Sequence, residues 1–555
     1  MDHSGGSGGY IYIRTAQTGG DNDIDPDARI TALGGYGKNF GVGGAGGVIV
    51  AEVTDDLNLD VSAMDAHGGL AGDGWISNDA DDPSAGSPAC GTAAAGTVYL
   101  TDELMGGHLD VHNAYYASDR FTVVSAAPRP DYTGTYPPEW AVADVTTVGS
   151  MARLKIENRQ LWNITFPTLA IGDYSDVKFA LGNSRLRVKA REHFQMAATA
   201  TLDFSDVSFV TTMHFEADRF SAGLRALELG TVLFHSRLYV DDVPHLIFHG
   251  DVNDTKEGPG GPSGDLYGYM AFTAGDITVG PGARLKTDKI FMYAENAIDV
   301  GPGAKLLSAI EHECVESPSS TSDDNGEKLY DAMGSDLHEK TPMTYKYVLA
   351  RFNTFYNLTE ANATLYATGV GGAEWQYSSP YQERVSERWS VYLLSLGYIK
   401  ANGSRIAAPR ISMCSNFLEF YAESRIQADF RGCPADRGAG NLGLQPDSSC
   451  SGAGGAHAGF GGSGGGTGQG DRRDAHCDEH YPHAYYKGPG AHSEGSGGTS
   501  GDAAGLTGGS GGGVVWLATP KTIIVQDSSV GADGRWGQLQ DYDQPGSGGG
   551  AGGSV

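Results

Sequence analysis

The sequence predicts an all-β fold, a right-handed parallel β-helix solenoid with glycine-rich loops and one lateral insertion. Three observations carry that expectation. The first is a short fixed period: "DITVGPGARLKT" is followed by "AIDVGPGAKLLS", which sets Val279 and Val300, like Leu285 and Leu306, 21 residues apart. The second is a cassette of a small residue, a cation and a branched apolar residue. It stands at Ala28-Arg29-Ile30, Ala283-Arg284-Leu285 and Ala304-Lys305-Leu306, and returns at Ser404-Arg405-Ile406 and Ser424-Arg425-Ile426, 20 residues apart. The third is alternation within each repeat: Ile277, Val279, Ala283 and Leu285 share one side, Asp276, Thr278 and Arg284 the other, as a strand with one buried face requires. A coil of about 20 to 25 residues with two or three strands is the length at which successive rungs of a parallel β-helix stack in register.

The elements follow in chain order. Residues 1–140 read as a glycine-rich β-helix section, in which "GGSGGYIYI", "GGAGGVIVAEV" and "AAAGTVYL" each run from a glycine tract into a strand. Residues 141–310 read as central rungs, with "VGPG" as a turn whose proline presets φ and whose glycine relieves the bend. Residues 311–389 lose the period, become rich in Tyr, Ser and charge, and are expected to form the lateral insertion. Residues 390–555 return to period and then to glycine, "GGSGGGVVWLAT" mirroring the beginning of the chain. The closing "PGSGGGAGGSV" resembles the opening "HSGGSGGYI" without the strand that should follow, which suggests a segment of a longer repetitive protein with signal and anchor outside it. Glycine totals 83 of 555 residues, about twice ordinary usage. Ordered glycine is entropically costly, so tracts abutting "YIYI" or "VVWL" imply close backbone approach or positive φ, and we expect them packed against the body.

The order "ESRIQADFRGC", "SGAGGAHAGFGGSGGGTGQG", "KGPGAHSEGSGG" and "GGSGGGVVWLAT" resembles a family of large glycine-rich extracellular parallel β-helix proteins of plants and protists. Cys433 and His457 occupy its Gly-Cys step and its glycine-tract histidine. The resemblance covers the two glycine-rich ends and little of the middle. It implies a surface or wall location and no established catalytic activity. The stretch "RRDAHCDEHYPHAYYKG" departs from the pattern, so no ligand role carries over there.

Formal net charge is −30, which argues against nucleic acid, where cations must neutralise phosphates. No apolar run reaches the roughly 18 residues of a membrane span. Of the six cysteines, Cys90 and Cys314 stand apart, while Cys414, Cys433, Cys450 and Cys477 cluster in a loop-rich region. These four are disulfide candidates with three possible pairings, buried free thiols being the alternative. Sequons at Asn163, Asn253, Asn357, Asn362 and Asn402 are glycosylation candidates. "GDNDIDPDA" places Asp21, Asp23, Asp25 and Asp27 at alternate positions, a candidate calcium set or else a solvated acidic turn. His476, His480 and His483 in "HCDEHYPH" are candidate soft-metal ligands whose spacing fits no standard zinc site. The match of Gly5-Gly6-Ser7-Gly8-Gly9 to G-x-S-x-G lacks the strand-to-helix turn of a nucleophile elbow.

These readings point to a non-enzymatic extracellular or cell-surface scaffold that presents loops and glycans. It would bind wall or matrix polysaccharide, or a matrix protein, with outward aromatics such as Tyr10 and Tyr12 packing on sugar rings and Ca²⁺ as a possible bridge. The alternative is a polysaccharide lyase or hydrolase, since such enzymes share the fold. Its carboxylate pair would come from Asp55 and Asp56 or from Asp241 and Asp242.

Overall fold

The computed structural model describes residues 4–17, 29–38, 42–56, 64–70, 93–102, 106–114, 118, 120–124, 127–128, 139–141, 143–158, 163–181, 185–205, 211–217, 224–255, 268–312, 389–435, 507–519, 521–538, 551, 553 and 555. Every regular element among them is a β-strand. The chain divides into two compact units, Met1–Lys256 and Glu257–Val555. The expected insertion, apart from its first two residues and Trp389, lies outside the described residues, as does the tract 461–470.

In the second unit the period becomes ladders. Strand Tyr269–Val279 pairs in parallel with Lys289–Val300, with a bulge between Ala274 and Asp276. The next partners are Val391–Ser395 and Tyr398–Asn402, then Arg410–Cys414 and Phe417–Tyr421, then Val514–Ala518 and Thr522–Val525. A second parallel ladder runs through Arg284–Thr287, Lys305–Ser308, Arg405–Ala407, Arg425–Gln427 and Ser529–Gly531. Val279 lies opposite Val300 and Leu285 opposite Leu306, as the repeat requires. Leu285, Leu306, Ile406 and Ile426 form one continuous buried column.

The turns between the two ladders stack as well. Gly282, Gly303 and Gly403 have φ of 76°, 72° and 59°, and their amides donate to the carbonyls of Pro302, Gly403 and Tyr421 at 2.8–3.0 Å. In the following rung Ala422 and Glu423 take the left-handed conformation instead, which is unfavourable for a residue with Cβ. The Ser424 hydroxyl donating to Tyr421 O at 2.7 Å supports that turn. Among the described residues the strand Thr522–Val525 is paired on one side only. Ile523 and Val525 stand in register with the buried Leu418 and Phe420, yet are 41% and 48% exposed.

The first unit is less uniform than expected. Strands Tyr10–Gln17, Val48–Asp56 and Thr97–Asp102 are parallel neighbours, but Thr97–Asp102 turns back antiparallel onto Gly106–His112. Ala127–Pro128 and Glu139–Ala141 are also antiparallel. A parallel pairing needs a crossover of a dozen residues or so, and the three residues 103–105 allow only a hairpin. Parallel order then resumes from Gly106–His112 through Val145–Gly149, Asn163–Ile171 and Arg185–Met196 to Thr211–Ala217, Leu227–Leu229 and Ser236–Phe248. Beside it a second ladder joins Thr122–Val124, Arg153–Asn158, Asp176–Leu181, Thr201–Asp203, Thr231–Phe234 and Val252–Asp254. The core carries Phe166, Phe179 and Phe204, the last two stacked with centroids 4.8 Å apart.

The glycine tracts of this unit are ordered outside any regular strand. Gly35 N donates to Gly6 O, Gly44 N to Gly35 O, and Gly69 N to Gly44 O, all at 2.7–2.9 Å. Gly47 N and Gly96 N donate to Ala32 O and Ala66 O, both at 2.7 Å. A methyl group on Gly34, Gly44, Gly46, Gly69 or Gly96 would fall closer than 3.0 Å to a neighbouring carbonyl oxygen. The requirement here is close approach of backbones rather than positive φ, which among the glycines occurs at the three stacked turns of the second unit.

Two outcomes follow for stability measured by denaturant unfolding. Leu306→Ala costs about 2 to 5 kcal/mol, because a fully buried column residue leaves a cavity. Gly46→Ala is destabilising, whereas Gly9→Ala, where a methyl would meet nothing within 4 Å, is neutral or stabilising by up to about 1 kcal/mol.

Candidate functional site

A histidine–aspartate cluster forms where the glycine layer meets the antiparallel hairpin of the first unit. The strand Met64–Asp65 pairs with Ile30–Thr31 and buries Met64 and Ala66, which turns Asp65 and His67 to the other side. On Gly106–His112 the buried Leu109 and Val111 likewise leave His108, Asp110 and His112 facing out. An Asp-x-His pair on an extended segment puts both side chains on one face, and the fold brings two such pairs together.

Asp65 Oδ1 accepts from His67 Nδ1 at 2.7 Å, from the His67 amide at 3.1 Å and from His112 Nε2 at 3.0 Å. His112 Nδ1 lies 2.6 Å from Asp110 Oδ2. Both ring nitrogens of His112 therefore face carboxylates, an arrangement satisfied when the ring is an imidazolium donating on both sides. The hydrogen bond to Asp110 outweighs burial and holds His112 above the ordinary histidine value. Burial pushes Asp65 up, but the hydrogen bonds from His67 and the nearby imidazole charges overcome it, and Asp65 lies below the usual carboxylate range.

His67, with its side chain 8% exposed, gives Nδ1–H to Asp65, and its Nε2 lies 3.4 Å from the Tyr36 hydroxyl. Asn113, buried next to His112, accepts from Gly68 N at 2.9 Å and donates to Ala93 O at 3.4 Å. The cluster thus ties the glycine layer to the hairpin strand. Chemically it holds an acid–imidazole dyad, Asp65–His67, and an imidazolium clamped between two carboxylates.

The sequence did show this signal, as "DAH" at 65–67 and "DVH" at 110–112. Neither pair marks a site by itself, because nothing local says that residues 45 positions apart converge.

The residues expected from sequence fare variously. Tyr10 and Tyr12 are 66% and 48% exposed on the edge strand Tyr10–Gln17, and the Tyr12 hydroxyl donates to Glu52 Oε2 at 2.5 Å. Asp55 and Asp56 end the strand Val48–Asp56, and Asp241 and Asp242 are successive residues of Ser236–Phe248. Cys414 is not half of a disulfide: it is a buried thiol pushed up to about 12 by burial, in a strand closed on both faces. Cys433 is buried, while Cys90, Cys314, Cys450 and Cys477 lie outside the described residues. Asn163 begins a strand, and Asn253 and Asn402 are half-buried in strands. Asn357, Asn362, the set Asp21, Asp23, Asp25 and Asp27, and the set His476, His480 and His483 lie outside the described residues, as does His457. Among the described residues no group of three or more His, Cys, Asp or Glu side chains is arranged to hold a metal ion, and no helix is long and apolar enough to cross a membrane.

No protein-family model, curated protein or solved structure matches the chain.

The cluster makes stability depend on pH. The contribution of His112 is fully present below its unfolded value of about 6.5 and is lost as pH rises through its higher folded value. That of Asp65 is present above about 3.9 and is lost as pH falls through its lower folded value. Comparing wild type with His112→Gln by chemical unfolding, the stability gap is widest near pH 5 to 6 and narrows as pH rises toward 9. A gap constant with pH would show that His112 is uncharged in the fold.

Proposed function

We propose that this chain is a non-enzymatic extracellular or cell-surface scaffold, a right-handed parallel β-helix whose rungs present loops, glycans and a surface for wall or matrix polysaccharide. One observation carries the reading. The described acids and imidazoles that converge are turned on one another: both nitrogens of His112 and the Nδ1 of His67 engage carboxylates, and His67 Nε2 meets Tyr36. A general base needs a nitrogen or carboxylate within reach of substrate; here those atoms join two layers of the fold. In-register ladders support the solenoid, in which the two ladders of each unit are successive faces of one coil. The sequons at Asn253, midway in the short strand Val252–Asp254, and at Asn402, the last residue of Tyr398–Asn402, support a glycosylated location outside the cell.

The outward pair Tyr10 and Tyr12 offers apolar faces for sugar rings, with the Glu52–Tyr12 hydrogen bond fixing one ring.

A second reading, a polysaccharide hydrolase, draws on the Asp65–His67 dyad. It requires Tyr36, itself 54% exposed, to leave His67 Nε2 and admit water or substrate.

The test is incubation of the purified chain with acidic and neutral polysaccharides, with and without Ca²⁺, scored for binding and for cleavage. We expect no cleavage, and binding of neutral glycans weakened by the double change Tyr10→Ala and Tyr12→Ala. Products that disappear in His67→Gln would replace the scaffold by the hydrolase.

A further inference from the structure

The cation of the repeated cassette forms a column in the second unit. Arg284 lies opposite Lys305, Lys305 opposite Arg405, and Arg405 opposite Arg425. Their neighbours in sequence, Leu285, Leu306, Ile406 and Ile426, are fully buried, so the four cations share the outward face. Lys305, Arg405 and Arg425 are exposed and Arg284 is half-buried. Adjacent strands are about 4.8 Å apart, and like charges directly opposite each other on a sheet are destabilising.

Among the described residues no carboxylate relieves them. None of the four makes an ion pair with a described carboxylate, and the Nε of Arg284 is buried without a hydrogen-bond partner. The first unit uses the same cassette differently. In Ala152-Arg153-Leu154 the Arg153 Nε meets Asp176 Oδ2 at 2.8 Å, and Asp176 is the residue opposite it on the next strand. One rung there neutralises its neighbour; here four successive rungs add charge, in a protein whose net charge is −30. Arg431, donating to Ile310 O at 3.0 Å, lies within electrostatic reach of Arg405, with Glu311 as the nearby acid.

We propose that Arg284, Lys305, Arg405 and Arg425 form a track that binds a linear acidic polysaccharide, its successive carboxylate or sulfate groups lying along the rungs. A line of cations at strand spacing suits a polymer with one charge per sugar better than a single compact anion, which needs converging donors. The residues alongside, Leu307 and Gln427 half-buried and Ala407 buried, present no aromatic face on which bases would stack. Direct contact with these cations removes the need for Ca²⁺ as a bridge to acidic glycans. The track serves a scaffold and a cleaving enzyme equally, so it goes beyond the function proposed above.

The test measures affinity of the full chain for polygalacturonate, heparin and a DNA duplex, in EDTA at low salt, by isothermal titration. Wild type is expected to bind an acidic polysaccharide in EDTA, with affinity falling steeply as salt rises. R405E/R425E is expected to weaken binding by about tenfold or more, while K400E/K521E, an equal charge change on the other ladder, stays within about threefold. R405K/R425K, which keeps the charge, retains binding. Circular dichroism checks each fold, and R405Q/R425Q replaces the reversal should it not fold. Preference for polygalacturonate assigns carboxylate as the group bound, and preference for heparin assigns sulfate. Three results would overturn the proposal: no binding of wild type to either polysaccharide, equal loss in the two charge-reversed doubles, or tighter binding of DNA. Cleavage products scored in the same samples bear on the scaffold reading and leave the track untouched.

Discussion

Direct contact between glycine backbones is the condition on which the first unit rests. Segments without a regular ladder, at Gly5–Gly9, 32–37, 42–47 and 66–69, still pair their amides one after another, Gly35 to Gly6, Gly44 to Gly35 and Gly69 to Gly44. They approach so closely that a single added methyl would strike a carbonyl oxygen. Such contacts bring Cα–H groups against carbonyls, individually weak but repeated. They also explain how a chain so rich in glycine, which loses the most entropy on ordering, can hold strands such as Val48–Asp56 in register: each strand issues from a segment whose amides are already paired. The second unit uses the same device around Gly512 and Gly513, whose amides reach Ala551 O and Ala428 O.

Much of the second unit was legible because its repeats are local. Two copies of "VGPGA" fix the phase of adjacent strands, and alternation assigns Leu285 and Leu306 to the interior. The hairpin of residues 97–112 was not legible as such, since glycine tract followed by strand reads the same whether the next strand runs parallel or turns back. The histidine–aspartate cluster escaped for a related reason. Asp65 ends a two-residue strand and His67 follows it just before Gly68 and Gly69, and only pairing with Ile30–Thr31, together with the hairpin, brings them to Asp110 and His112. Cys414 joins its neighbours by sequence distance alone, whereas its strand buries both faces and holds the thiol inside, 3.8 Å from the Ser412 hydroxyl.

The cation cassette shows how a phase marker and a functional feature can be the same residues. As a sequence pattern it served to count the period. In three dimensions the period stacks each cation on the next, and whether that column is neutralised depends on one residue. Asp176 opposite Arg153 closes the charge in the first unit; Lys305 opposite Arg284 leaves it open in the second. The pH-dependent clamp and the open column are therefore opposite solutions to one problem, charge placed on adjacent strands of a sheet. In the first, acids and imidazoles satisfy one another; in the second, no described carboxylate pairs with the cations.

The glycine-contact account is tested by amide hydrogen exchange of the native chain, resolved at the level of residues 32–47. If the tracts are held by paired backbones, the amides of Gly35, Gly44 and Gly47 exchange as slowly as those of the strand Val48–Asp56 that follows, because both open in the same event. Exchange of these three amides at the rate of an unfolded peptide, while the strand stays protected, would contradict it and leave the tracts as loops beside a separately stable sheet.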